Sequence, residues 1–260
     1  MKKKALLIGI NYQGTPDALN GCENDVFNIK NVLMSKMGYS DKNITVMTEK
    51  RGIKPTKKNI LNQIVKLINS AIKENLDEIW FHYSGHGTNI RDNSGDEKDG
   101  RDECLCPVDY MYSGLITDDL LHECFSHLPE KTRCICIMDC CHSGSILDLR
   151  YRYVSGIKSV VENERSKTKC NIISISGCQD DQTSADAWIH RNWCGAMTTA
   201  MITVLEAFEY SITCDSLLIH MRKYLSASKY TQVPQICTSH KLNNATIFCS
   251  KKENNPFVVL

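Results

Sequence analysis

The 260-residue chain lacks an excess of either charge: 31 Lys and Arg stand against 30 Asp and Glu, a net charge of +1. That balance argues against nucleic acid as the main partner, because such binders concentrate a basic face. No apolar run approaches the roughly 20 residues of a membrane-spanning helix, so no membrane partner is expected. The opening MKKKALLIGINY is basic and then briefly apolar, but GINYQG follows with no small-residue cleavage site. It reads as a buried first strand and not as a signal peptide. Internal repeats and low-complexity tails are absent, and so are CxxC pairs and the EF-hand spacing.

Cysteine, by contrast, is plentiful, with 14 in the chain. Most lie inside apolar runs such as TRCICIMDCC, KCNIISISGC and ATIFCS. Buried free cysteine behaves as a small hydrophobe, which fits a reducing, cytoplasmic setting better than a disulfide framework. The length suits one α/β domain over 1–260 with a sizeable core.

Short β-branched runs predict strands at Ala5–Ile10, Ile44–Thr48, Glu78–Tyr83, Thr132–Met138, Cys170–Ser176 and Pro234–Thr238. Helical stripes lie between them: Val26, Ile29, Leu33 and Met37; Ile60, Ile64, Leu67 and Ala71; Met197, Met201, Val204, Leu205 and Phe208; Leu218, Met221 and Leu225. The alternation predicts a central, mostly parallel six-stranded sheet with helices on both faces. Two segments break the pattern. TNIRDNSGDEKDGRDE is an acidic loop, and the Lys- and Arg-rich LRYRYVSGIKSVVENERSKTKC is expected to be a mobile linker.

In open α/β sheets the chemistry gathers beyond the carboxyl ends of strands. His86 follows one strand in EIWFHYSGHG, and Cys140, Cys141 and His142 follow another in CICIMDCCHSG. A cysteine nucleophile needs a base, usually His, and caspase-type proteases place it roughly 50 residues earlier. Strand alternation puts Asp139 and Cys141 on one face, and Met138 and Cys140 on the other. Ser84 and His86 share a face by the same rule. His142 is expected to orient backbone. A zinc site using Cys140, Cys141 and His142, or His122 and Cys124, is a rival reading, although adjacent ligands strain a tetrahedral site.

Several motifs in order resemble the metacaspases, caspase-like cysteine peptidases: GINY, NGCENDV, HYSGHGT, GDEKDGRDECLCPVD, ITDD, MDCCHSGSILDL, SGCQDDQTSAD and PQICTSHKL. The resemblance implies a caspase-like sandwich and a monomer. It implies His86 as base, Cys141 as nucleophile, and the N–H groups of Gly87 and Cys141 as oxyanion donors. It places a pocket for substrate Arg or Lys at Cys22, Asp25, Ser84 and Asp139, and Ca²⁺ at Asp102, Asp118, Asp119 and Asp148. Asp92, Asp96 and Asp99 stay as solvated surface. The parts would be a p20-like 1–149, the basic linker 150–169 and a p10-like 170–260, closest to a type I catalytic core without its N-terminal prodomain. Self-cleavage is expected at Arg150, Arg152, Lys158, Arg165, Lys167 or Lys169. Arg150 departs from the Pro that many relatives carry after DL. A competing function is a scaffold or protein-quality-control factor with little peptidase activity.

Overall fold

The β-branched runs become strands and the apolar stripes become helices, in a computed structural model. It describes residues 1–92, 100–141, 144–155, 158–164, 166, 168–177, 186–189, 192–242 and 247–249. The first half runs β1 (Lys3–Gly9), α1 (Cys22–Lys36), β2 (Ile44–Met47), α2 (Lys57–Glu74), β3 (Glu78–Ser84), β4 (Gly87–Arg91), β5 (Arg101–Leu105), α3 (Tyr110–Ser113), β6 (Ile116–Thr117), α4 (Asp118–Ser126) and β7 (Arg133–Asp139). The second half runs β8 (Tyr151–Ser155), β9 (Lys158–Val161), β10 (Asn171–Ser176), β11 (Asp186–Ile189), β12 (Asn192–Gly195), α5 (Ala196–Ala207), β13 (Ile212–Thr213), α6 (Cys214–Ala227), β14 (Gln235–Thr238) and β15 (Ile247–Cys249).

The main sheet has eight strands in the order β2-β1-β3-β7-β10-β14-β8-β9. The six expected strands form one contiguous block of it. The pairs from β2 through β10 are parallel, and those from β10 to β9 are antiparallel. The count of six is therefore corrected to eight. The two extra strands come from the segment read as a mobile linker: β8 pairs with β14, and β9 pairs with β8. The Lys and Arg residues there hid a β-branched pattern, as charged side chains do on an edge strand, where they discourage further pairing.

Side chains on the two faces of this sheet pack into separate cores. One joins Leu6, Ile8, Phe81, Met138 and Cys140 to α2 and α4 residues such as Ile64 and Leu121. The other joins Leu7, Trp80, Ile135 and Ile137 to Val26 and Ile29 of α1, Met197 and Met201 of α5, and Leu217 and Met221 of α6. Twelve cysteines whose side chains are described form no disulfide, and of these all but Cys124 and Cys141 are buried. Among those residues no helix is long and apolar enough to cross a membrane. His142, Asp96, Asp99, Arg165, Lys167 and most of SGCQDDQTSAD lie outside the described residues.

Candidate active site

β3 and β7 run side by side, and their last residues, Ser84 and Asp139, are register partners. The chain beyond each strand therefore emerges at the same place. Gly85 donates its N–H to the Asp139 carbonyl at 3.3 Å. Gly87 lies so close to the turn after β7 that a Cβ on it would sit 2.1 Å from the Cys141 carbonyl oxygen. Only glycine permits that approach. The backbones carrying His86 and Cys141 are thus locked together.

The His86 ring is held from one side. Its Nε2 lies 2.7 Å from the Asp17 carbonyl oxygen. A carbonyl only accepts, so Nε2 carries the proton and donates, which leaves Nδ1 as the basic nitrogen. Tyr12 stacks on the ring with centroids 4.7 Å apart. Its hydroxyl accepts the His86 N–H at 2.9 Å and donates to the Cys106 carbonyl at 2.6 Å. The Tyr83 hydroxyl donates to the His86 carbonyl at 2.9 Å. Tyr12 reaches this position with φ of 51°, a left-handed conformation that is strained for a bulky residue. Burial, and then the neighbouring Cys141 and Asp17, push the Cys106 thiol up to about 12. Cys106 is thus a neutral wall of the site. Cys140 is fully buried among Met138 and its neighbours, whereas Cys141 is half-buried.

Beside this turn, two carboxylates meet. Asp25, in the first turn of α1, accepts a hydrogen bond from the Ser84 hydroxyl at 2.7 Å and from the Gly195 N–H at 2.9 Å. Asp139 accepts from the Thr198 N–H at 2.9 Å. A Cβ at Gly195 would lie 2.2 Å from Asp139 Oδ2 and 2.7 Å from Asp25 Oδ2. Both acids are therefore wrapped around the N-terminus of α5, whose N–H groups lack intrahelical acceptors and whose dipole favours negative charge. Cys22, the first residue of α1, is buried nearby in sequence, and its N–H bonds to the Asn11 side chain at 3.0 Å.

A second acidic cluster lies on β5 and α4. Asp102, Glu103 and Asp118 are all buried. Asp118 accepts from the N–H groups of Glu103 at 2.6 Å and Asp119 at 2.8 Å. Burial raises the Asp118 carboxyl to about 6, and the charge of Asp102 adds to the rise. Its ionisation as pH climbs through that value therefore works against the fold unless a cation compensates. Ser145 donates to Glu103 at 2.7 Å and accepts, through its carbonyl, from the Asp148 N–H. That tie brings the Asp148 turn onto β5. Asp148 is buried and adopts φ of 46°. The donor set is all oxygen, which suits Ca²⁺. Among the described residues, however, no three His, Cys, Asp or Glu side chains are grouped as metal ligands. Asp119 is exposed. His122 Nδ1 is instead directed at the Leu147 carbonyl, 2.8 Å away.

A family model described as "Metacaspase, peptidase C14 domain" matches residues 3–150. The chain is 39% identical to Metacaspase-1 of Yarrowia lipolytica, over 92% of this chain. It is 38% identical to Metacaspase-1 of Candida albicans, over 93% of this chain. The chain belongs to the metacaspase family. It spans 62% of the first of these relatives and 66% of the second. The fold is that of the caspases: Caspase-1 from Spodoptera frugiperda superposes with a TM-score of 0.58 at 14% identity, covering 97% of this chain and 91% of that one.

In this metacaspase domain the sequence alone does not single out Asp17, Tyr12, Tyr83 or Gly195. GINY and HYSGHGT put both tyrosines in view, but nothing in the sequence pairs one hydroxyl with a backbone 74 residues away. Asp17 acts through its carbonyl, and side-chain identity carries no signal for that. Gly195 was legible only as a glycine before a helix.

Proposed function

We propose that this metacaspase domain is a calcium-activated cysteine endopeptidase that cleaves proteins and peptides after Arg or Lys. The observation that supports this most is the meeting of Ser84, Asp25 and Asp139 next to the turn that bears Cys141. Two buried acids at that place favour a cationic P1 side chain over a neutral or acidic one.

Cys141 is the nucleophile, and its Sγ attacks the scissile carbonyl carbon. Nδ1 of His86 takes the thiol proton and returns it to the leaving amine, while the Asp17 carbonyl steadies the resulting imidazolium through Nε2–H. Water, activated by the same nitrogen, then hydrolyses the thioester. The N–H groups of Gly87 and Cys141 receive the developing oxyanion. Turnover of an Arg-ended fluorogenic peptide with added calcium tests the reading; its absence in a folded protein would sink it.

Asp102, Asp118, Asp119 and Asp148 are the residues that would hold Ca²⁺, which supplies positive charge to the cluster. With that charge bound, the buried acids of β5 and α4 would lose their mutual repulsion, and the Asp148 turn, nine residues after Asp139 on the segment that carries Cys141, would be drawn to them. We expect chelator to suppress peptide turnover and millimolar-range calcium to restore it, as for weak open carboxylate sites. Asp118→Asn should shift the calcium midpoint at least about tenfold upward, as loss of one charged ligand does. Full turnover in chelator would refute calcium activation.

Self-processing in 150–169 meets a structural filter. Arg152 lies inside the ladder between β14 and β9, and its side chain bonds Glu162 at 2.9 Å. Lys158 starts the edge strand and is exposed. Opening a central strand costs more than lifting an edge. With calcium, wild type should be cut after Lys158 before Arg152, while Cys141→Ala stays intact; intact-mass analysis of a time course reads both. First cleavage after Arg152 would contradict this order.

A further inference from the structure

At the end of the sheet where β8 and β10 begin and β14 finishes, Tyr151, Ser166, Thr168, Lys169 and the chain just after β14 surround an open cavity of about 670 Å³. Arg150, Lys169 and Lys241 line it, with Glu130 as the carboxylate of the lining. The cations thus outnumber the acid. Arg150 and Lys241 both sit over the ring of Tyr151, at 5.8 Å and 5.7 Å from its centroid. The ring holds two like charges near each other at the cavity wall.

Three polar atoms of this lining have no hydrogen-bond partner among the described residues: Arg150 Nε, Ser166 Oγ and Thr168 Oγ1. Ser166 is 5% exposed and Thr168 is 7% exposed, so water does not readily answer for them. Buried donors left unmade are costly, and native proteins seldom keep several in one place without a ligand to satisfy them. Ser239, in the same wall, contrasts with them. Its hydroxyl donates to the Cys170 carbonyl at 2.7 Å.

We propose that this cavity binds the phosphate group of a small phosphorylated molecule. A guanidinium with two ammonium groups matches a dianion after Glu130 is set against them. A phosphate monoester presents three terminal oxygens, enough for the guanidinium and both hydroxyls, whereas a carboxylate presents two. The volume lies in the range of small-molecule sites and exceeds what a lone phosphate fills. The rest of the molecule would lie against Tyr151. The site shares no residue with the paired acids Asp25 and Asp139 or with the cluster at Asp118, and it does not depend on the peptidase reading.

Titration calorimetry on the full chain, in calcium-free buffer, tests it with phenyl phosphate, benzoate and inorganic phosphate. Phenyl phosphate should saturate a single site, and inorganic phosphate should compete for it. Benzoate should bind at least about tenfold more weakly, the loss of a charge-assisted contact. Arg150→Gln and Lys241→Gln should each weaken phenyl phosphate by about tenfold or more. Lys73→Gln on α2 should not. Lys241 is exposed, so its replacement spares the fold even if that of Arg150 does not. Benzoate binding as tightly as phenyl phosphate, failure of inorganic phosphate to compete, or wild-type affinity in Lys241→Gln would each overturn the site.

Discussion

Cys141→Ala is expected to abolish hydrolysis of an Arg-ended peptide, whereas Cys140→Ala keeps most of it. The two thiols are adjacent in sequence but not in surroundings. Cys140 is fully buried with Met138 in the core beneath α2 and α4. Cys141 is half-buried and lies on the turn locked against Gly87. Removing a nucleophile removes the covalent route, and losses of at least about 10⁴-fold are the scale seen when such a residue acts as part of a unit. Removing the Cys140 sulfur leaves a small void, which costs about 1 kcal/mol of stability and should lower the melting temperature by a few degrees. The expected pattern is therefore a folded, inactive Cys141→Ala beside an active, slightly less stable Cys140→Ala. Equal loss of activity in both, with both folded by circular dichroism, would contradict the assignment.

The second large effect concerns Asp139. Its carboxylate has two duties. It accepts the Thr198 N–H at the start of α5, and it lies one Cβ-width from Gly195, facing Asp25. Asp139→Ala would remove both duties and confuse specificity with stability, since a lost helix cap alone costs about 1 kcal/mol. Asp139→Asn separates them. The amide oxygen still accepts from Thr198, while the charge disappears. A hydrogen bond to a charged group contributes about 1.5–3 kcal/mol, so the kcat/KM ratio of an Arg peptide over its Gln twin should fall about 10- to 100-fold. The fall should come from the Arg substrate. Bidentate pairing with guanidinium should make Arg suffer more than Lys, because ammonium meets a carboxylate as a point charge. An unchanged Arg-over-Gln ratio in a folded Asp139→Asn would place the cationic pocket elsewhere, and Asp25 and Ser84 would lose their role with it.

The sheet was legible because its inner strands are buried on both faces. ALLIGI, EIWFHY and CICIMD read as strands since apolar β-branched runs bounded by polar ends have few alternatives. The helices were legible because α1, α2, α5 and α6 each bury one stripe against a single core. What stayed hidden lay at edges and in backbone. β8 and β9 carry the Lys and Arg expected of a loop, and only the pairing of β8 with β14 and of β9 with β8 makes them strands. Strands β4 and β5 of the small sheet were hidden in the same way, in and around an acidic segment that reads as a loop. The residues of the site followed the same divide. In the candidate site, His86, Cys141, Ser84 and Asp139 stand out in the sequence because their chemistry is in their side chains and they stand at or just past strand ends. The hold on His86 could not, because it comes from the Asp17 carbonyl and from two tyrosine hydroxyls brought in by the fold. The embrace of α5 by Asp25 and Asp139 was equally invisible, since it joins residues on α1 and β7 to a helix start far along the chain.

The most direct measurement is kcat/KM for four fluorogenic peptides that differ only at P1, as Arg, Lys, Gln or Asp, each with calcium and with chelator. Turnover of the Arg and Lys peptides is expected in calcium, with Arg ahead. Gln should be slower by roughly tenfold or more, Asp slower still, and all four near background in chelator. Comparable rates for all four peptides, or Asp ahead of Arg, would contradict the proposed specificity.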